Sequence, residues 1–182
     1  EQGATSSASV NLTVQGDNDA PVAADDAVTT DEDTALSGDL LADNGNGVDA
    51  DVDGGFVVSA VDGIAASVGS QVTLASGALL TVNSDGTFDY DSNGAFEGLG
   101  DSQQDTDSFT YTIDDGLTTS TATATVTIDG VNDAPIATND AFTVNESVAG
   151  TSDDLLANDI DPESQTLLLI DGGGDVTLSD TF

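Results

Sequence analysis

Apolar and polar residues alternate along much of the chain. Residues 108–113 read Ser-Phe-Thr-Tyr-Thr-Ile, which puts Phe109, Tyr111 and Ile113 on one side of a strand whose side chains point alternately to opposite faces. Residues 121–128 repeat the pattern, with Ala122, Ala124, Val126 and Ile128 inward and Thr121, Thr123, Thr125 and Thr127 outward. Leu80 and Val82, then Asn83-Ser84-Asp85-Gly86, then Phe88 and Tyr90 predict a hairpin with turn residues at its tip. Residues 56–61 and 71–74 read as further strands, and residues 22–30 as an extended segment after Pro21. The one stretch with a helical period is short, at residues 38–42. About seven strands in roughly 110 residues predict an all-β fold, a β-sandwich.

The pattern also repeats at long range. Gly-Asp-Asn-Asp-Ala-Pro begins at Gly16 and Gly-Val-Asn-Asp-Ala-Pro at Gly130, 114 positions later. Ala8, Val10, Leu12 and Val14 fall on Ala122, Ala124, Val126 and Ile128 at that offset, and Asp26, Glu32 and Asp39 fall on Asp140, Glu146 and Asp153. After one inserted residue, Leu40-Leu41-Ala42 matches Leu155-Leu156-Ala157. A period this long is a domain rather than a solenoid turn. The expected division is 1–19 as the last strand and exit of one repeat, 20–133 as a complete repeat, and 134–182 as the first part of another.

Charge then narrows the chemistry. The 182 residues include 35 Asp and Glu and no Lys, Arg or His, a formal net charge of -35. Without cations the chain cannot neutralise phosphates, which excludes nucleic acid and anionic membranes as partners. Without His, Cys or Lys it has no Ser-His-Asp or Cys-His nucleophile, no Schiff-base lysine and no ordinary zinc site. Two Tyr and six Phe, mostly at core spacing, do not line a sugar cleft, so paired carboxylates do not read as a glycosidase. The expectation is that the chain is not an enzyme. What remains is oxygen chemistry, the ligand set of hard cations and above all of Ca2+. A light core carrying so many like charges is expected to fold with such cations.

The carboxylates cluster in recurring places. Asp17-Asn18-Asp19 and Asp129-Gly130-Val131-Asn132-Asp133 each precede Ala-Pro, and a lone Glu, Glu32 or Glu146, follows about a dozen residues on. An acidic loop runs Asp49-Ala50-Asp51-Val52-Asp53-Gly54 in the complete repeat and Asp159-Ile160-Asp161-Pro162-Glu163 in the next. Asp114-Asp115-Gly116 adds an acidic turn. Alternate Asp residues suit calcium, but the bidentate Glu closing an EF-hand loop is missing. Asp85, Asp89 and Asp91 read as turn and solvated strand residues, while Asp101, Asp105 and Asp107 fit either a calcium loop or a solvated one.

Several stretches carry a resemblance: Asn-Asp-Ala-Pro at the junctions, Leu-Leu-Ala-Asn-Asp-Ile-Asp-Pro at 155–162, Ser-Asp-Gly-Thr-Phe-Asp-Tyr at 84–90, and the strands at 106–111 and 121–126. Together they resemble the bacterial cadherin-like tandem repeats (VCBS-type) of large secreted calcium-dependent adhesins. The resemblance implies Ig/cadherin-like β-sandwich repeats in tandem, an extracellular or cell-surface location and Ca2+ between successive domains. Carried over residue by residue, it implies Asp17, Asn18, Asp19, Glu32, Asp51 and Asp53 as ligands at the first junction. At the second it implies Asp129, Asn132, Asp133, Glu146, Asp159 and Asp161, with Asp114 or Asp115 contributing. The junction is one residue shorter than the animal cadherin linker, and the loop at 42–49 is longer and richer in glycine than 157–161.

The functional expectation is a calcium-stiffened spacer or adhesive repeat in cell adhesion or biofilm attachment, its partners the neighbouring repeats of the same chain. The alternatives are a filament subunit completed by strands of like chains, or a lectin-like module for a glycan or surface receptor.

Overall fold

The structure, a computed structural model, describes residues 3–141, 154–171 and 176–179. The complete repeat is built of β1 (Asp26–Asp31), β2 (Leu36–Asp39), β3 (Val57–Val61), β4 (Val72–Thr73), β5 (Leu79–Val82), β6 (Thr87–Asp91), β7 (Gln104–Asp114) and β8 (Thr119–Asp129). One sheet has the order β1-β8-β7-β3 and the other β2-β6-β5-β4. Alternation places Phe88, Tyr90, Phe109, Tyr111, Ile113, Ala122, Ala124, Val126 and Ile128 in one buried cluster, and the Thr side chains face out. This is the expected all-β sandwich.

The predicted hairpin is β5-turn-β6, with Leu80 opposite Tyr90 and Val82 opposite Phe88. Gly86 closes its turn at φ +90, a conformation glycine adopts without a Cβ penalty. The short helical period at 38–42 is instead the end of β2 followed by a turn. Leu40 is buried there because Gly38 lets the chain lie on the Phe88 ring; a Cβ at Gly38 would stand 2.6 Å from Phe88 Cε1. That contact outweighs local periodicity and adds an eighth strand.

Two pairings set the ends of the domain. β7 and β8 form an antiparallel ladder from Gln104 opposite Asp129 to Asp114 opposite Thr119. Eleven residues at about 3.4 Å each span roughly 35 Å. β1 runs parallel to β8, from Asp26 beside Ala124 to Asp31 beside Asp129. Asp31, Gln104 and Asp129 therefore share the exit end, and the Asp114-Asp115 turn lies at the leading end.

Beyond the exit, β9 (Leu168–Asp171) and β10 (Val176–Ser179) form an antiparallel pair. Before the repeat, Val10, Leu12 and Val14 are 91%, 85% and 82% exposed, and described residues 3–19 form no strand.

Candidate cation sites at the two junctions

The exit site starts from β1. Its parallel course brings Glu32 beside the departing chain, where the Glu32 amide donates to the Asp129 carbonyl at 3.1 Å. The Glu32 side chain turns inward and is 1% exposed. Its Oε1 accepts the Val131 amide at 2.7 Å, while Oε2 is buried without a partner. Burial pushes this carboxyl above its usual range, and the charges of Asp133, Glu97 and Asp33 push the same way.

The next unit supplies the other wall. The Asp133 amide donates to Glu163 Oε1 at 2.9 Å, Gln165 Nε2 to Asn132 Oδ1 at 2.7 Å, and the Gln165 amide to Asp161 Oδ1 at 2.8 Å. Each of these contacts leaves an oxygen over. Asp31 Oδ1, Glu32 Oε2, Asp133 Oδ2, Asp161 Oδ2, Glu163 Oε2 and Gln165 Oε1 are all buried and unpartnered. Carboxylate oxygens of Asp33, Glu97 and Asp133 lie within 4.8 Å of one another. Burial, with Asp33 and Glu97 nearby, pushes Asp133 above the usual carboxylate range. Gly130 makes the close approach possible, since a Cβ there would meet the Gly100 carbonyl oxygen at 2.5 Å.

Buried acceptors without donors are costly, and the chain has no cationic side chain to relieve them. The donor set is oxygen alone. It could hold a metal, and its chemistry fits a hard divalent cation that takes six to eight oxygens at 2.3–2.6 Å.

The leading end repeats this design in more open form. Asn18 Nδ2 donates to the Asp19 carbonyl at 2.9 Å, as Asn132 Nδ2 does to the Asp133 carbonyl at 3.1 Å. The Asp19 amide donates to Asp53 Oδ2 at 2.6 Å, as the Asp133 amide does to Glu163. Asn18, Asp51, Asp53 and Asp115 line one small cavity with Gly54 and Gly55. The Asn18 amide, then the Thr118 and Leu117 amides, hold the Asp115 carboxyl well below its usual range.

Not every expected ligand lies where the sequence suggested. Glu32 was expected at the first junction and stands at the second, because β1 runs parallel to the second half of β8 and ends beside Asp129. Asp115 was expected at the second and stands beside Asn18 at the first, because β7 ends there; neighbouring Asp114 accepts the Gly116 amide at 2.7 Å. Asp159 is apart from the exit cluster and clamps the Thr138 amide at 2.7 Å, as Asp49 clamps the Ala24 amide at 2.7 Å. Asp129 bonds Gln104 through its side chain, and Asp17 is exposed. Asp19, Asn132, Asp133, Asp51, Asp53 and Asp161 lie at the junctions assigned to them. Glu146 lies outside the described residues.

Asp31, Asp33, Glu97, Glu163 and Gln165 were missed. Glu163 was legible, since Asp159, Asp161 and Glu163 copy the spacing of Asp49, Asp51 and Asp53. Glu97 carried no such signal.

The bacterial cadherin-like domain family matches residues 18–130. The bacterial Ig domain family matches residues 132–181, directly after it. No curated protein matches the chain.

Proposed function

The chain belongs to the bacterial cadherin-like domain family, and on that premise we propose that it is a calcium-stiffened structural and adhesive repeat of a long extracellular or cell-surface protein of the VCBS type. Domains of this kind are adhesion-type, non-enzymatic modules that usually sit in extracellular or surface proteins. No helix among the described residues is long and apolar enough to cross a membrane.

The observation that carries the reading is the group of unpartnered buried oxygens at the exit. They come from both sides of the junction, so a cation held among them ties one domain to the next. Glu32, Asp133, Asp161 and Glu163, with Asp33 and Glu97, would hold Ca2+ there. Asn18, Asp51, Asp53 and Asp115 would form the counterpart at the leading end, with residues 1–19 completing a preceding repeat. Extracellular modules bind calcium at about 10⁻⁴–10⁻³ M, so the joints load outside the cell and not in the cytosol. The ion supplies charge neutralisation, and the chain supplies the fixed geometry that makes a stiff spacer for cell adhesion or biofilm attachment.

Calorimetric calcium titration of the chelated chain tests this. Saturable heat that loses its exit-site component when Glu32, Asp133 and Asp161 are all made amides, and the rest when Asp51, Asp53 and Asp115 are as well, supports the reading. Absence of binding at millimolar calcium would sink it.

A second reading, donation of a strand to a neighbouring chain in a filament, is favoured by one observation. Val10, Leu12 and Val14 are exposed in a segment that repeats β8. Sedimentation of the full chain separates the two: a monomer at all concentrations removes the filament.

A further inference from the structure

The unit after the exit repeats the entry frame of the complete repeat. Val22 and Ala50 exchange backbone hydrogen bonds at 2.8 and 3.0 Å, and Ile136 and Ile160 do so at 2.7 and 3.1 Å. Asp39 Oδ1 accepts the Leu41 amide at 2.9 Å, as Asp154 Oδ1 accepts the Leu156 amide at 3.0 Å. Asp49 clamps the Ala24 amide as Asp159 clamps the Thr138 amide. Together these bonds align Ala24, Leu40 and Asp49 with Thr138, Leu155 and Asp159.

In the complete repeat those three residues surround one side chain. The Tyr111 oxygen lies 2.8 Å from the Ala24 carbonyl oxygen, 3.0 Å from Asp49 Oδ2 and 3.4 Å from the Leu40 carbonyl oxygen. Tyr111 and Leu40 are fully buried and Asp49 is 5% exposed. In the next unit Thr138, Leu155 and Asp159 instead line an open cavity of about 220 Å³. Leu169 of β9 adds to its apolar wall, and Asp140, the counterpart of Asp26, brings a second carboxylate. Leu155 is 39% exposed there and Leu169 44%.

We propose that this cavity is a socket for a tyrosine on a partner β-strand patterned like β7, where Phe109 and Ile113 flank Tyr111 on the same face. The ring lies against Leu155 and Leu169, and the hydroxyl takes its acceptors from the Thr138 and Leu155 carbonyls and the Asp159 carboxylate. Asp159 Oδ1 already holds the Thr138 amide, so its other oxygen serves this donor, as Asp49 Oδ2 serves Tyr111. A phenylalanine fills the same space but leaves these acceptors without a donor once water is excluded, which is costly. Strand addition draws affinity from the main chain and specificity from side-chain pockets of this sort. A folded second copy of the chain is not the partner, because its own Tyr111 is fully buried, and its residues 4–15 carry no tyrosine. The socket contains no residue of either calcium joint and works independently of them.

The test is calorimetric titration of the full chain with a synthetic peptide copying residues 104–129, the β7–β8 hairpin. High salt screens the like charges of chain and peptide. Saturable binding is expected both in saturating calcium and in chelator. Tyr111→Phe in the peptide should weaken it about tenfold, and Asp159→Asn in the chain should do the same. Combined, the two changes should cost little more than either alone, because they remove one shared contact. A peptide copying residues 4–15 should not bind. Four results would overturn the proposal: no saturable binding, losses that simply add, binding that calcium abolishes, which would make the cavity a cation site, or equal binding of the 4–15 peptide, which would make it a groove for that segment. The Tyr111→Phe peptide meets the unaltered chain, so it reads the contact even where Asp159→Asn fails to fold.

Discussion

Glu32 Oε1 accepts a hydrogen bond from the Val131 amide at 2.7 Å across 99 positions of sequence. This contact joins the end of the first strand to the start of the linker. It makes the geometry of the joint depend on the domain behind it as well as the domain ahead.

Glu32→Gln keeps the bond to Val131 and removes one charge from the exit cluster. Because burial already pushes this carboxyl up, the chelated variant should be as stable as wild type or more so. Its calcium affinity should fall by about tenfold or more. Melting curves in chelator and calorimetry in calcium check the two halves independently.

Calcium should raise the melting temperature with a logarithmic dependence on concentration. At 100 times Kd the added stability is about 2.7 kcal/mol per site. Magnesium should do less, because it demands octahedral geometry and gives up water reluctantly. Equal midpoints in calcium, magnesium and chelator would contradict the site.

Gly130→Ala should loosen the exit. Its Cβ would meet the Gly100 carbonyl at 2.5 Å and Leu99 Cβ at 2.7 Å, and crowding of this sort costs about 1–3 kcal/mol. Calcium affinity should fall with stability, since the same displacement carries Asn132 and Asp133 away. Denaturant unfolding of the complete chain measures the first effect and calorimetry the second.

Asp85 caps the β5–β6 hairpin, its Oδ1 accepting the Thr87 hydroxyl at 2.7 Å and the Thr87 amide at 3.1 Å. Those bonds, the hydroxyl first, hold its carboxyl below the usual value. A depressed folded pKa gives stability present above the unfolded value and lost as pH falls through the folded one. Asp85→Ala should therefore destabilise modestly at neutral pH and progressively less in acid. Melting curves across the acid range read the difference.

Much of the sandwich was legible because each strand carries its own alternation. Phe109, Tyr111 and Ile113, or Ala122 to Ile128, need no distant information to reveal their inner face. β2 was missed because its placement rests on Gly38 lying on Phe88, a contact with nothing periodic about it. At the sites, the Asn-Asp-Ala-Pro copies marked the linkers, but periodicity cannot say which end a strand reaches. The parallel pairing of β1 with β8 moved Glu32 to the far joint, and the course of β7 moved Asp115 to the near one. Glu97 reaches Asp33 and Asp133 only through tertiary folding.

The parallel register of β1 on β8 has a further consequence. Tension applied through the two linkers draws β1 toward the leading end and β8 toward the exit, along the strand axes. Six register pairs, from Asp26–Ala124 to Asp31–Asp129, then share the load in shear instead of opening one at a time. A polymer of such units should resist extension at this seam, and it should yield abruptly once the seam slips.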